Sequence, residues 1–138
     1  GSLTGYSLAI ISKMGATVFG VESHKGFADL ANDILDSKSI SRAKVICGPL
    51  LEGYQQEAPY DVIIIEGGVR EIPDTILNQL SGNGGRLVTI ISGNEIRQSS
   101  LGSGYIYTKI GESFTRQPVF DTAAKILPGF DAGPRFKF

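Results

Sequence analysis

Short apolar runs alternate with amphipathic segments along most of this chain. β-branched and aromatic residues predict strands at 17–21, 43–47, 60–65 and 87–91. The segments between these runs carry apolar residues every three or four positions, which is the spacing of one helix face. Strands that alternate with helices form a mostly parallel sheet with helices packed on it. The pattern therefore predicts a three-layer α/β sandwich.

Three helices are expected in the amphipathic segments. The first starts at Tyr6 and stops at Gly15, because glycine favours a helix end. The second follows Ser23, whose hydroxyl is a candidate N-cap. The third begins at Pro73 and stops at 83–85, where Asn-Gly-Gly interrupts the pattern. The positions expected to face the core are Leu8, Ile10, Ile11, Met14, Phe27, Leu30, Ala31, Ile34, Leu35, Ile76, Leu77 and Leu80.

The pattern changes in the last third of the chain. The β-rich runs 104–110 and 113–119 are joined by Gly111-Glu112, which predicts an antiparallel hairpin. The tail that follows has two Pro/Gly turns and is expected to dock against the body. No linker or repeat divides the sequence, so 1–138 is predicted to be a single domain. The apolar anchors of the tail are Ile126, Leu127, Phe130, Phe136 and Phe138.

The first residues have the arrangement of a nucleotide-binding unit. Gly1 and Gly5 lie in a turn that opens a helix, where glycine lets a ligand approach the backbone and the helix start offers free N–H groups. Glu22 ends the next strand, and a carboxylate at that place accepts both hydroxyls of a ribose. A strand normally precedes such a loop. The chain is therefore expected to be an N-terminally truncated fragment.

Composition and charge argue against nucleic-acid binding, membrane insertion and metal binding. A net charge of −1 with scattered basic residues leaves no basic surface for nucleic acid or an anionic membrane. The apolar stretch 62–65 is far too short to span a bilayer. Cys47 is the single cysteine, which excludes an internal disulfide, and it is interpreted as a buried core thiol. His24 is the single histidine, and no cluster has metal-ligand spacing, so no metal site is predicted.

Several segments match the motifs of one enzyme class. Residues 4–7 and 18–22 are similar to the first two motifs of the class I S-adenosylmethionine-dependent methyltransferases, with Glu22 in the ribose-binding position. The segment 66–88 resembles, more specifically, the protein-L-isoaspartate O-methyltransferase family. Residues 119–121 and 127–130 look like the ending of an alphaproteobacterial branch of that family.

The resemblance implies a Rossmann-like methyltransferase fold that lacks its first strand, with S-adenosylmethionine as cofactor. It implies methyl transfer to isoaspartyl carboxylates of damaged proteins in the cytoplasm. An isoaspartyl carboxylate is already ionised at neutral pH, so the reaction needs positioning and exclusion of water, and no catalytic residue is assigned. Without the family's N-terminal region the fragment is expected to be inactive. The candidate cofactor-binding residues are Gly1, Thr4, Gly5, Tyr6, Glu22, Ser23, Gly48 and Glu66.

Two alternative functions are open at this point. A nicotinamide-dependent oxidoreductase would use Glu22 for its own ribose, although the loop does not read G-x-G-x-x-G. A degenerate, non-enzymatic binding module is the second, because Gly48 stands near the place where the family has an acidic residue. Tyr105 and Lys109 repeat a Tyr-x-x-x-Lys spacing of short-chain dehydrogenases, but their surroundings predict a strand.

The missing first strand has a structural consequence. In this fold it lies between the strands predicted at 17–21 and 62–65, so each loses a partner and exposes backbone groups. We expect the chain either to retain a cleaved N-terminal piece or to self-associate through these edges.

Overall fold

The computed structural model describes residues 1–92 and 101–131, and it divides the chain into two compact units, Gly1–Tyr54 and Gln55–Phe138. Both units combine strands with helices, as the sequence pattern predicts. Phe136 and Phe138, two of the expected tail anchors, lie outside the described residues.

The first unit is a pair of parallel strands with two helices. β1 pairs with β2 in parallel, from Val18 opposite Ala43 to Glu22 opposite Cys47. The carboxyl ends of both strands therefore lie side by side. The elements of this unit are α1 (Tyr6–Lys13), β1 (Val18–Glu22), α2 (Lys25–Ser37), β2 (Ala43–Cys47) and a 3-10 turn at Leu50–Glu52.

The core of this unit joins both helices to the sheet. Its buried members are Leu8, Ala28, Ala31, Leu35, Ile40 and Val45. Gly20 of β1 lets α1 come close, since an added Cβ would lie 2.7 Å from a Leu8 methyl carbon. A larger residue at position 20 would therefore push α1 away from the sheet.

Two expectations about α2 are wrong. The N-cap is His24 and makes no side-chain cap hydrogen bond, so Ser23 lies one residue too early to cap. Three expected core residues, Phe27, Leu30 and Ile34, are 37–45% exposed and do not belong to the core. The buried face instead follows the small residues Ala28 and Ala31, because alanine lets the helix approach the sheet closely.

Cys47 is also placed differently from the prediction. Its side chain is exposed, although Val45, two residues earlier on the same face of β2, is buried. The core cluster reaches Val45 but does not extend to the last residue of the strand. The interpretation of Cys47 as a buried core thiol is therefore wrong. Ile10 and Met14 of the first helical segment are likewise exposed, and only Leu8 of its expected apolar positions is buried.

The side chain of Asn32 forms hydrogen bonds with the backbone of Val45 at the outer edge of β2. The Asn32 Nδ2 donates to the Val45 carbonyl oxygen at 2.8 Å, and the Val45 N–H donates to Asn32 Oδ1 at 2.9 Å. The amide thus satisfies both backbone groups of Val45, as a neighbouring strand would.

Replacing Asn32 by aspartate is expected to lower the free energy of unfolding by about 2 kcal/mol, because a carboxylate cannot donate to the Val45 carbonyl and faces it with a charge. Denaturant unfolding followed by circular dichroism measures the change. Asp33→Ala, at an exposed neighbouring position of α2, serves as the control and should change stability little. Equal losses in both variants would contradict the role of the Asn32 amide.

The second unit is a four-stranded mixed sheet in the order β3-β4-β5-β6. β3 and β4 are parallel, and the later pairs are antiparallel. β5 and β6 form the predicted hairpin, which turns at Gly111-Glu112 with Gly111 at φ 59°. The elements are β3 (Val62–Val69), α3 (Asp74–Leu77), β4 (Asn83–Ser92), β5 (Leu101–Ile110) and β6 (Ser113–Ala123). Tyr105 and Lys109 lie on β5, as predicted.

The third predicted helix is only one turn long. The Tyr60 N–H donates to the Gln79 carbonyl, and the Ser81 N–H donates to the Tyr60 carbonyl. Because these backbone groups pair with Tyr60, which lies just before β3, the helix does not continue beyond Leu77. Residues 83–85, expected to end that helix, begin β4. The expectation for this segment is therefore wrong beyond its first turn.

The tail docks as predicted within the described residues. Gly68 donates to the Lys125 carbonyl and accepts from the Leu127 N–H, both at 2.9 Å, and Phe130 is buried. Gly67 is needed at this contact, because an added Cβ would lie 2.6 Å from the Leu127 Cγ.

The two sheets leave free edges of the kind that the sequence predicts. Among the described residues, β1 pairs with β2 alone, and residues 62–65 pair with β4 alone. The outer edge of β3 is met only farther along, by a bridge between Gly68 and Ile126.

Candidate nucleotide-binding site

Glu22 is the centre of the candidate site. It ends β1, and its side chain is only 4% exposed. Its Oε2 accepts the Leu3 N–H and its Oε1 accepts the His24 N–H, each at 3.1 Å. The carboxylate therefore joins the loop before α1 to the start of α2.

The charge of Glu22 is stabilised where it lies. Burial alone raises the pKa of this carboxyl, but the backbone N–H groups of His24 and Leu3, the positive charge of the Gly1 amino group and the Ser23 N–H together outweigh it, so the pKa lies below its ordinary value of 4.5. A carboxylate has about four acceptor positions, of which the Leu3, His24 and Ser23 N–H groups occupy three. The ionised group therefore keeps a position for one further donor, such as a ribose hydroxyl.

This shift in pKa makes stability depend on pH. A carboxyl whose pKa is lowered by folding stabilises the protein above its unfolded pKa, and that stabilisation is lost as the pH falls through the folded pKa. Between about pH 5 and pH 3 the free energy of unfolding should therefore fall more steeply for the wild type than for Glu22→Gln, which does not titrate. Urea unfolding at stepped pH measures both slopes. Parallel slopes would contradict a lowered pKa at Glu22.

The glycine loop has the backbone geometry that its residues predict. Gly5 is the buried N-cap of α1 at φ 74°, and its carbonyl accepts the Ala9 N–H at 3.0 Å. No side chain caps this helix start. Gly1 lies against the carboxylate, since a Cβ there would be 3.3 Å from Glu22 Oε2. The loop thus brings glycine backbone, a helix start and Glu22 together.

Gly48 completes this edge of the first unit. It follows β2, and its N–H donates to the Glu22 backbone carbonyl at 3.0 Å. No atom lies within 4 Å of a Cβ built on Gly48, so the space beside it is open. The carboxyl ends of β1 and β2 are the place where ligands bind in open α/β sheets.

Ser23 reaches the Glu22 carboxylate through its backbone N–H, whereas its side chain and those of Thr4, Tyr6 and Glu66 lie at the surface. Thr4 and Ser23 are exposed, and Tyr6 is 73% exposed at the first position of α1. Glu66 is exposed on β3 in the second unit. The structure thus places Gly1 and the Ser23 backbone at the Glu22 carboxylate, and Gly48 at the Glu22 backbone carbonyl. Gly5 packs against Ala31 and Leu35 instead, and Thr4, Tyr6 and Glu66 are exposed.

Sequence reasoning missed the role of Leu3. Its backbone N–H holds Glu22, and its φ is 44°, which an L-residue rarely adopts. Every residue except proline has a backbone N–H, so residue type does not indicate which one bonds to Glu22. The one available signal was a leucine within a glycine loop.

The described residues contain neither a metal-ligand cluster nor a membrane-spanning helix. In 1–92 and 101–131, no three His, Cys, Asp or Glu side chains are grouped so that they could hold a metal ion. In the same ranges, no helix has the length and apolar character needed to cross a membrane.

An α/β fold with a glycine loop and a buried carboxylate at the end of the next strand is typical of Rossmann-like nucleotide-binding proteins. A profile of the Protein-L-isoaspartate(D-aspartate) O-methyltransferase (PCMT) family matches residues 1–106. The chain belongs to this family, as the sequence motifs predicted.

Relatives and a solved structure agree with this assignment. The chain is 36% identical over 95 residues to the protein-L-isoaspartate O-methyltransferase of Methanoculleus marisnigri, covering 69% of this chain and 43% of the relative. Identity to the Pseudomonas aeruginosa enzyme is 31% over 117 residues, covering 85% and 53%. A solved protein-L-isoaspartate O-methyltransferase superposes with a TM-score of 0.82 at 26% identity, covering 94% of this chain and 40% of that chain.

These comparisons confirm the predicted fold class and family. The chain spans about half or less of the length of the curated relatives it matches. Neither the nicotinamide-dependent oxidoreductase nor the non-enzymatic module gains support from them.

Proposed function

We propose that this chain is the cofactor-binding part of a methyltransferase that uses S-adenosylmethionine to methylate isoaspartyl carboxylates in damaged proteins. The observation that carries the proposal is the buried, ionised Glu22 carboxylate beside Gly1 and Gly48. Membership of the family supplies the chemistry, since the relatives are named for this reaction.

The residues present fit such a cofactor. Glu22 ends the strand at the place where this type of unit binds a ribose, and its carboxylate keeps an acceptor position for a ribose hydroxyl. The open space at Gly48 suits a flat adenine ring, and the Gly5 loop with the uncapped start of α1 suits the methionine part. Thr4, Tyr6, Ser23 and Glu66 stay candidates for further contacts. When bound, S-adenosylmethionine supplies an activated methyl group with a neutral leaving group.

The protein's own task in this reaction is positioning. The acceptor carboxylate has an ordinary pKa near 4 and is ionised at neutral pH, so no side chain has to remove a proton. Holding donor and acceptor in line, away from water, contributes on the order of 7–11 kcal/mol in favourable cases. Methyl transfer to this acceptor therefore requires no general base.

Methyl transfer is tested with labelled S-adenosylmethionine, an isoaspartyl peptide and an aspartyl peptide of the same sequence, in the full-length protein. We expect label in the isoaspartyl peptide alone. Equal labelling of both peptides, or of neither by a protein that binds S-adenosylhomocysteine, would contradict isoaspartate as the acceptor.

The remaining proposals concern organisation. We infer that both units belong to one methyltransferase domain, because the similarity to a single solved chain covers 94% of the residues. The free edges of β1 and β3 are suited to an added strand, either from a retained N-terminal piece or from a second copy. Intact mass and light scattering distinguish these. A cytoplasmic location is the third proposal, and it fits a single cysteine that cannot form an internal disulfide.

A further inference from the structure

Leu3 has an unusual backbone conformation. Gly5 donates its N–H to the Ser2 carbonyl at 2.8 Å, which closes a β-turn with Leu3 and Thr4 as its central residues. Leu3 has φ 44° at the first central position, which is typical of the primed turn types that glycine, asparagine and aspartate dominate. A leucine there carries steric strain.

Side-chain packing does not account for this conformation. The Leu3 side chain is 59% exposed, so little apolar contact compensates for the strain. The conformation instead gives the backbone a hydrogen bond, because the turn directs the Leu3 N–H at the Glu22 Oε2, 3.1 Å away. That carboxylate is buried and its other oxygen is bonded to the His24 N–H at 3.1 Å. The two N–H groups hold the carboxylate from opposite ends.

We propose that Leu3 is a positioning residue whose strained turn clamps the Glu22 carboxylate in the orientation that receives a ribose hydroxyl. The inference deepens the proposed function and rests on it for the ligand. We call the Leu3 N–H and Glu22 Oε2 contact the Leu3 clamp. The clamp acts through the backbone, and the leucine side chain is incidental to it.

Two substitutions separate the backbone from the side chain. Leu3→Gly removes the side chain but adopts positive φ without strain, so the clamp is kept. Leu3→Ile keeps apolar size but is β-branched, which makes positive φ still less accessible, so the clamp opens. If the backbone conformation matters, Leu3→Gly should bind S-adenosylhomocysteine at least as tightly as the wild type, and Leu3→Ile should bind it about tenfold more weakly. If the side chain matters, isoleucine equals leucine and glycine is weaker.

A second readout needs no ligand. The Glu22 carboxyl is titrated by carbon-13 NMR in the wild type and both variants of the full 138-residue chain. The clamp predicts a raised Glu22 pKa in Leu3→Ile and an unchanged or lower one in Leu3→Gly, because only the former loses a donor to the ionised form. Far-ultraviolet circular dichroism verifies that all three are folded, as expected for an exposed loop residue.

The outcomes are separable. The same Glu22 pKa in all three proteins, or the side-chain order of affinities, would overturn the Leu3 clamp. The expected pKa order with the expected order of affinities supports it. The expected pKa order without S-adenosylhomocysteine binding in any variant would establish the clamp and overturn the proposed cofactor.

Discussion

Glu22→Ala is expected to weaken S-adenosylhomocysteine binding about a hundredfold. A hydrogen bond to a charged acceptor is worth roughly 1.5–3 kcal/mol, and the substitution removes the acceptor of a ribose hydroxyl. A loss of about 2.7 kcal/mol corresponds to a factor of about a hundred in the dissociation constant. Isothermal titration calorimetry measures it. The size of the effect follows from the burial of the carboxylate, since water does not replace it easily.

Controls separate this result from a general loss of structure. Asp36→Ala, an exposed acidic position of α2 in the same unit, should bind as the wild type does. Glu22→Gln keeps the shape of the side chain but has one acceptor oxygen and no charge, so its affinity should fall between those of wild type and Glu22→Ala. Unchanged affinity in Glu22→Ala, with a folded protein by circular dichroism, would refute the ribose role of Glu22.

Leu35→Ala is expected to reduce the free energy of unfolding by about 3–4 kcal/mol, which is the range for a fully buried leucine. Leu35 is 1% exposed and belongs to the core that joins both helices to β1 and β2. Its side chain also supports the loop, since its Cδ1 and Cγ lie 3.7 Å from a Cβ built on Gly5. Chemical denaturation followed by circular dichroism measures the loss.

The same helix offers a matched control. Leu30 is 45% exposed, so Leu30→Ala removes the same atoms with less transfer free energy and no closed cavity. We expect its cost to stay below about 1 kcal/mol. Equal losses at positions 30 and 35 would mean that α2 packs on the sheet with a different face from the one described.

Local signals predicted the elements whose formation depends on local residues. The strand at 43–47 agrees with the structure at both ends, and the hairpin turn at Gly111-Glu112 follows from two residues. Glu22 could be singled out because the chemistry of the site requires a carboxylate at the end of the second strand of this unit type. Residue type and residue order are sufficient to predict these features.

Other features depend on contacts between distant residues. Residues 73–80 carry helix spacing, yet the pairing of Tyr60 with Gln79 and Ser81 ends the helix after one turn. The prediction for α2 is confirmed at Ala31 and Leu35 but wrong at its larger apolar residues Phe27, Leu30 and Ile34, because the close approach of Ala28 and Ala31 decides which side packs. The clamp at Leu3 uses a backbone N–H, which every residue except proline possesses. Sequence patterns carry little information about such choices.

The most direct test is a calorimetric titration of S-adenosylhomocysteine into the 138-residue chain, with NADH titrated in parallel. We expect saturable one-to-one binding of S-adenosylhomocysteine and no saturable binding of NADH. Saturable binding of NADH alone, or of neither ligand by a folded chain, would contradict the assignment of the Glu22 site to S-adenosylmethionine.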